Sequence, residues 1–402
     1  MKLDMNDMLY ALSDGLDSVE AEIFGVRSHH SQRVAYIAAK IGQTYGLPES
    51  DLLNLAIAAV LHDNALTEYI SVKRQSDKSG SSLLASPELL KLHCIMGEKN
   101  VSKLPSYKYF EKAILYHHEN ADGTGAHGLR AKDTPLFAQI IHLADQIDVF
   151  FNQANSAIVP QPQDLVSYIE EHRDKAFAGE LCDKFIDAFQ DSMLLSGDEV
   201  VKLLPQELTD IPRDYDDAAI HNIATMFAKI VDYKSHFTCT HSLGIATKAE
   251  EMGRFYDYDQ ATCTKLYLAG ALHDIGKLTI TNAILEKPDK LTKEEFTIMK
   301  GHALASWNFL HVMKGLDDVV NWACLHHEKL DGSGYPFGKK AAELNHNERL
   351  LACLDIYQAL IEDRPYHKGR THAGAMAILN EMGQKGQLDC QIITDIDNHF
   401  GV

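Results

Sequence analysis

Two sets of histidine and aspartate recur along this chain at nearly the same spacing, and both are made of side chains that bind divalent metal. The first set is His30, His62, Asp63, His93, His117, His118 and Asp145; the second is His241, His273, Asp274, His302, His326, His327 and Asp355. His30 to His62 and His241 to His273 each span 32 residues, and His93 to His117 and His302 to His326 each span 24. With only 21 histidines in 402 residues, an internal duplication with a period of about 211 residues explains the register better than chance.

Imidazole and carboxylate donors without cysteine suit hard or borderline divalent ions, so iron, manganese, zinc and nickel are all admitted. Neighbouring residues on a helix point about 100° apart, which fits two ions side by side better than one. On that reading Asp274 bridges, while His241, His273 and Asp355 serve one ion and His302, His326 and His327 the other. Two ions a few ångströms apart suit phosphodiester hydrolysis. They grip the phosphate, bring the pKa of a bound water from about 15.7 toward about 7, and hold attacker and leaving group in line. A serine nucleophile elbow, a Walker loop and a Gly-x-Gly-x-x-Gly stretch are absent from the sequence.

The surroundings of the two sets differ. Lys277 follows His273-Asp274 by one helical turn, where an ammonium can meet a phosphate oxygen or protonate a leaving alkoxide; the first copy has Leu66 there. The loop Asp331-Gly332-Ser333-Gly334-Tyr335-Pro336 offers glycines for close backbone approach and an aromatic ring that can stack on a base. Its counterpart, Asp122 to His127, has neither Tyr nor Pro. Arg364-Pro365-Tyr366 adds a fork able to grip phosphate or guanine. Asp274 and Lys277 are thus the expected catalytic residues, and Gly334, Tyr335, Arg364 and Tyr366 the expected substrate contacts. Glu328 reads as a supporting residue rather than a ligand. The first set reads as a metal site without catalysis, in a domain that regulates or supports the other.

The elements that must carry these residues are helical almost throughout. Leu55 to Leu61 and Leu266 to Leu272 hold apolar residues at helical spacing, and strand-like alternation is scarce. Thr292 with Glu295 forms a capping-box signature ahead of His302. Each repeat is expected to end in two helices, Leu165 to Phe189 and Ala373 to Phe400. The fold class is therefore all-α, with two helical bundle domains at 1–205 and 206–402 and a junction near 195–215.

Composition bounds the partners. A formal charge of −19 disfavours duplex nucleic acid, which needs a basic footprint. No apolar run approaches 18 residues, so no membrane span is expected, and the N-terminus lacks the apolar stretch of a signal peptide. Seven scattered cysteines without a Cys-x-x-Cys point to a reducing, cytoplasmic setting and argue against a thiolate zinc site.

From about Asp232 to Tyr366 the sequence resembles the HD-GYP family of cyclic dinucleotide phosphodiesterases. The resemblance rests on His273-Asp274-Ile275-Gly276-Lys277, His302, His326-His327-Glu328-x-x-Asp331-Gly332-x-Gly334-Tyr335-Pro336, Asp355 and Arg364-Pro365-Tyr366. Lys234-Ser235-x-Phe237-Thr238 before His241-Ser242 fits as well. The tandem layout, with an altered first HD domain, is similar to Vibrio phosphodiesterases that degrade cyclic GMP-AMP. The resemblance implies hydrolysis of cyclic di-GMP or cyclic GMP-AMP to a linear dinucleotide at a site rich in iron or manganese.

Two departures bear on that site. Three-metal members carry a Glu one turn before the first ligand His, where this chain has Phe237 and, in the first copy, Val26; two ions are expected. The Asp often found three residues after the last metal Asp is Gln358. Two alternatives stay open: a nucleotide phosphohydrolase of the wider HD superfamily, and a cyclic-dinucleotide receptor or diguanylate cyclase partner with weak hydrolysis. A homodimer is left open too.

Overall fold

The computed structural model describes residues 1–24, 29–69, 87–152, 161–189, 194, 197–207, 213–234, 240–363 and 368–401. They divide into two compact units, one of Asp4–Pro212 and one of Met1–Leu3 with Arg213–Val402. Among the described residues the only strands are β1 (Lys2–Leu3) and β2 (Arg213–Asp214), a short antiparallel pair in which Leu3 faces Arg213. The other named elements of the described residues are helices, so the fold class is all-α.

The first unit contains α1 (Met5–Phe24), α2 (His30–Thr44), α3 (Glu49–Val60), α4 (Pro87–Val101), α5 (Leu136–Asn152), α6 (Pro162–Glu171), α7 (Gly179–Ala188) and α8 (Gly197–Glu207). The second contains α9 (Asp217–Asp232), α10 (His241–Phe255), α11 (Gln260–Leu272), α12 (Asn282–Leu285), α13 (Lys293–Leu310), α14 (Asp317–Cys324), α15 (His346–Ile361), α16 (His372–Gln384) and α17 (Cys390–Phe400). The division falls after Pro212, within the 195–215 junction and seven residues beyond the 205/206 boundary read from sequence. Residues 197–207, placed in the junction by their Pro and acidic neighbours, instead form α8, which packs on α2 and buries Val200 and Leu204 one turn apart. The first three residues join the second unit, and nothing in their sequence announces it.

In the second unit α11 is the central element. Leu266, Leu268, Ala269, Ala271 and Leu272 are all buried, and the helix packs on α9, α10 and α14. A fully buried Leu contributes roughly 1.5–3 kcal/mol, so this helix is held by its whole circumference. Gly270 sets its distance from α10: a Cβ there would lie 2.7 Å from Ala246 Cα and 2.8 Å from Ala246 N. That close approach brings the end of α11, which carries His273, against the start of α10, which carries His241.

Helix starts are fixed by side-chain caps. Asp216 accepts from Ala219 N at 2.8 Å and Asp259 from Thr262 N at 2.8 Å. The expected box at the start of α13 forms, with Glu295 N donating to Thr292 Oγ1 at 3.2 Å and Thr292 N to Glu295 Oε2 at 2.7 Å. Each cap satisfies backbone donors that the helix cannot, at about 1 kcal/mol apiece. No helix among the described residues is long and apolar enough to cross a membrane.

Candidate metal centre

All seven residues of the second set meet in the interior of the second unit, delivered by helix ends as well as helix faces. His241 opens α10, His273 and Asp274 follow α11, His302 lies within α13, His326 and His327 follow α14, and Asp355 lies within α15. Three groups of donor atoms each lie within 4.8 Å of one another: His241, His273 and Asp355; His302, His326 and His327; and His273, Asp274 and His326.

Geometry amends one step of the sequence argument. His273 caps the end of α11 with helical dihedrals and Asp274, at φ −99° and ψ 10°, leaves the helical path, so the two side chains converge: His273 Nε2 is 3.0 Å from Asp274 Oδ2. Asp274 Oδ1 lies 3.4 Å from His302 Nε2 and 3.9 Å from His326 Nε2, so its carboxylate stands between the two imidazole groups. Asp355 reaches His241 Nε2 at 3.2 Å through Oδ1 and His327 Nδ1 at 3.6 Å through Oδ2.

Backbone carbonyls decide which ring nitrogens are bare. His273 Nδ1 donates to Gly270 O at 2.8 Å, His302 Nδ1 to Met299 O at 2.6 Å and His326 Nδ1 to Ala323 O at 2.5 Å. A neutral imidazole donating from Nδ1 presents a lone pair at Nε2. Those three Nε2 atoms and Asp274 Oδ1 are buried without a hydrogen-bond partner. Buried polar atoms are rarely left unpaired, and a cluster of facing acceptors calls for a cation. The residues present therefore fit divalent metal.

Electrostatics prepare the same state. Burial would raise Asp274, but neighbouring His273 and Lys277 hold it well below the usual carboxylate range. Burial likewise opposes charge on Asp355, yet its bond to His241 and the nearby imidazoles hold it low. Burial lowers His302 and His326, and lowers His327 to about 3. Ionised carboxylates beside neutral His302, His326 and His327 are the form that binds metal, whereas His241, raised to about 9 by its bonds to Asp355 and Glu362, has a proton to lose.

The turn holding His273 and Asp274 is pinned to α13 by Ser306, whose hydroxyl donates to His273 O at 2.9 Å and accepts Gly276 N–H at 2.9 Å. Only glycine fits at 276, because a Cβ would collide with His302 O and lie 2.5 Å from Ser306 N. Lys277, 22% exposed, hydrogen-bonds Asp274 Oδ2 from the mouth of the site.

Glu328 anchors the glycine loop beyond His327. Its carboxylate accepts the backbone N–H groups of Phe337 at 2.7 Å, Gly338 at 3.1 Å and Lys339 at 2.9 Å. Gly334 packs so closely that a Cβ would lie 2.5 Å from Glu328 Cα and 2.6 Å from His327 O. Tyr335 is thereby laid against His327, with ring centroids 4.7 Å apart. Arg364, Tyr366, Phe237 and Val26 lie outside the described residues.

The first set assembles in the first unit with matching ring spacings. His93–His118 and His302–His327 centroids are both 5.0 Å apart, His117–His118 and His326–His327 both 4.0 Å, and His30–His62 and His241–His273 are 5.6 and 5.5 Å. Asp63 Oδ1 lies 3.3 Å from His93 Nε2 and 3.4 Å from His117 Nε2, and His30 Nε2 lies 3.3 Å from Asp145 Oδ1. Leu66, at the position of Lys277, is buried.

Several residues escaped the sequence reading. Glu362 lies 3.1 Å from His241 Nδ1 and takes the place that Asp148 fills in the first unit, where Asp148 is 2.7 Å from His30 Nδ1 and forks with Arg33. Gln358, at the spacing of Asp148, packs instead against Gly244. Glu20 is buried ten residues before His30, its Oε2 3.9 Å from His30 Nε2. Cys94 is buried with its thiol in the His93, His117 and His118 cluster. The one sequence signal was the mismatch of Cys94 with Ala303 at the corresponding position.

Comparison with known proteins places these units. HD domain family models match residues 27–149 and 225–392. The chain is 27% identical to 3'3'-cGAMP-specific phosphodiesterase 1 of Vibrio cholerae, over 97% of this chain and 90% of that protein. It is 30% identical to 3'3'-cGAMP-specific phosphodiesterase 3 of the same organism, over 84% of this chain and 73% of that protein. A cyclic di-GMP phosphodiesterase of Pseudomonas aeruginosa is 34% identical over 41% of this chain and 40% of its own length. The fold matches a crystal structure of a cyclic GMP-AMP specific phosphodiesterase of V. cholerae with a TM-score of 0.64 at 23% identity, covering 100% of this chain and 99% of that one.

Proposed function

The chain belongs to the tandem HD-domain family that includes the V. cholerae cyclic GMP-AMP phosphodiesterases, and we propose from that premise that its second unit opens a cyclic dinucleotide to the linear form. The observation that carries this reading is the convergence of buried, partnerless His273, His302 and His326 Nε2 atoms with Asp274 Oδ1. His241, His273 and Asp355 would hold one divalent ion and His302, His326 and His327 a second, iron or manganese, with Asp274 between the two groups. When bound, such ions bind the phosphate and make water available as hydroxide near neutral pH.

The chain's own residues supply orientation and charge. Backbone carbonyls of Gly270, Met299 and Ala323 fix three imidazole tautomers before any ion arrives, which removes reorganisation from the working step. Lys277 stands at the mouth beside Asp274, where its ammonium meets the phosphate and the departing 3'-oxygen; Arg364 adds charge balance. Tyr335, tilted against His327 and steadied through Glu328, offers a face to a purine, and Tyr366 a second one. The first unit, without a cation at Leu66, supports or regulates and does not catalyse. The protein works in the cytoplasm, and the partner left to it besides substrate is a second copy or a diguanylate cyclase domain.

The test is hydrolysis of cyclic di-GMP and cyclic GMP-AMP side by side by full-length protein loaded anaerobically with iron or manganese, with ion content measured on the same sample. Linear product from at least one, lost on His326→Ala, is expected. A loaded protein that binds either dinucleotide and releases no product would instead be a receptor.

A further inference from the structure

The four-donor cluster of the first unit differs from its counterpart in one atom type. His93, Cys94, His117 and His118 bring three imidazoles and a thiol within 4.8 Å of one another, whereas the corresponding group in the second unit is His302, His326 and His327. The position after His302 is Ala303, buried and without a donor. Cys94 Sγ lies 3.7 Å from His93 Nε2 and 3.7 Å from His117 Nδ1, and the side chain is fully buried. His93 Nε2 and His117 Nε2 face each other at 3.3 Å. His117 Nδ1 is turned to Ile114 O at 2.6 Å, and an imidazole donating there is bare at Nε2.

A second observation points into the same space. Asp63 Oδ1 is buried without a hydrogen-bond partner and stands beside both Nε2 atoms, and His62 Nε2 is buried and partnerless as well. A small hydrophobic role for Cys94 accounts for its burial but not for three imidazoles and a carboxylate turned toward one point.

We propose that the first unit holds a zinc ion in a closed site made by His93, Cys94, His117 and His118, with Cys94 as a thiolate ligand. Four protein donors fill a tetrahedral shell and leave no position for a phosphate oxygen, which is how a structural site differs from a catalytic one. The counterpart group of His302, His326 and His327, beside Asp274, offers no thiolate. A thiolate also biases the choice of ion toward zinc and away from manganese, so one chain sorts two kinds of metal between two similar cages. The thiol proton leaves to solvent as the ion binds. This goes beyond the proposed reaction, which needs only the second unit.

The test uses the full-length protein reconstituted with zinc or with cobalt as its spectroscopic stand-in. X-ray absorption at the zinc edge of the wild type should show a sulfur neighbour at about 2.3 Å, and the cobalt form should show a sulfur-to-cobalt charge-transfer band. Cys94→Ser, which keeps the side-chain size, and Cys94→Ala should both remove that band and weaken zinc retention at least about tenfold, the loss that even a residue supporting a ligand can cause. Cys182→Ala, a buried thiol elsewhere in the unit, should leave the band intact. Dinucleotide hydrolysis by the second unit should persist in Cys94→Ser. An ion bound in the first unit without a sulfur neighbour, a band indifferent to Cys94, or a first unit that takes up no zinc would each overturn the proposal. None of these outcomes touches the catalytic reading, whose own test is product release.

Discussion

His241 and Glu362 are joined across the second unit, Nδ1 to Oε2 at 3.1 Å, and the same carboxylate accepts from Thr240 Oγ1 at 3.0 Å. A carboxylate behind a ligand imidazole fixes the ring and raises its basicity. Glu362→Gln should weaken ion binding about 10–100-fold while leaving the fold intact. Ion titration of the purified variant reads this directly, and unchanged affinity would remove Glu362 from the site.

Lys277 touches Asp274, yet its proposed task lies with the phosphate. Lys277→Ala should keep both ions and lower kcat about 10²–10³-fold, the scale of losing one electrostatic partner of the transition state. Ion content and kcat measured together separate the two roles. Loss of ions with an unchanged rate per loaded site would assign Lys277 to metal binding alone.

Ion-free, the two ends of the centre hold protons differently. Burial opposes charge on His241, but its bonds to Asp355 and Glu362 raise it to about 9, whereas burial lowers His327 to about 3. At pH 7 an ion must displace a proton from His241 and none from His327. Affinity at the His241 end should therefore climb with pH until about 9. In the ion-free chain, a histidine raised above its unfolded value of 6.5 adds stability that is complete below 6.5 and fades as pH rises through 9. Calorimetry in two buffers of different ionisation enthalpy counts the released protons; uptake without release at both ends contradicts this.

Gly334→Ala places a methyl against Lys329 N, Glu328 Cα and His327 O. The backbone must shift and carry Tyr335 off His327. Overpacking of this kind costs about 1–3 kcal/mol, so a lower melting temperature and a raised KM for dinucleotide are expected. A variant with wild-type melting and KM would show that the loop has room to move.

His62→Ala combined with Asp63→Ala should spare hydrolysis by the second unit, which has its own core and its own seven donors. Product formation by the double variant is the measurement. Hydrolysis that survives with the second centre disabled by His326→Ala, and disappears only with His62 and Asp63, would transfer catalysis to the first unit.

Much of the centre was legible because metal binding demands particular atoms. Only a few side chains offer imidazole nitrogen or carboxylate oxygen, so their spacing stands out, and helical periodicity placed α11 beside them. The capping box of Thr292 and Glu295 was readable for a similar reason: both partners lie within one turn.

The sequence alone determined the duplication, the helical class, the seven His and Asp residues that cluster in each unit and the cation present in one copy and absent from the other. Tertiary structure decided that His273 and Asp274 converge, that Glu362 and not residue 358 backs His241, that Cys94 enters the first cage, and that Met1–Leu3 pair beside Arg213. The physical reason is range. Donor chemistry and helix periodicity are local properties of a residue and its near neighbours, whereas which carboxylate or thiol stands behind an imidazole depends on how closely distant helices pack, as Gly270 sets the approach of α11 to α10.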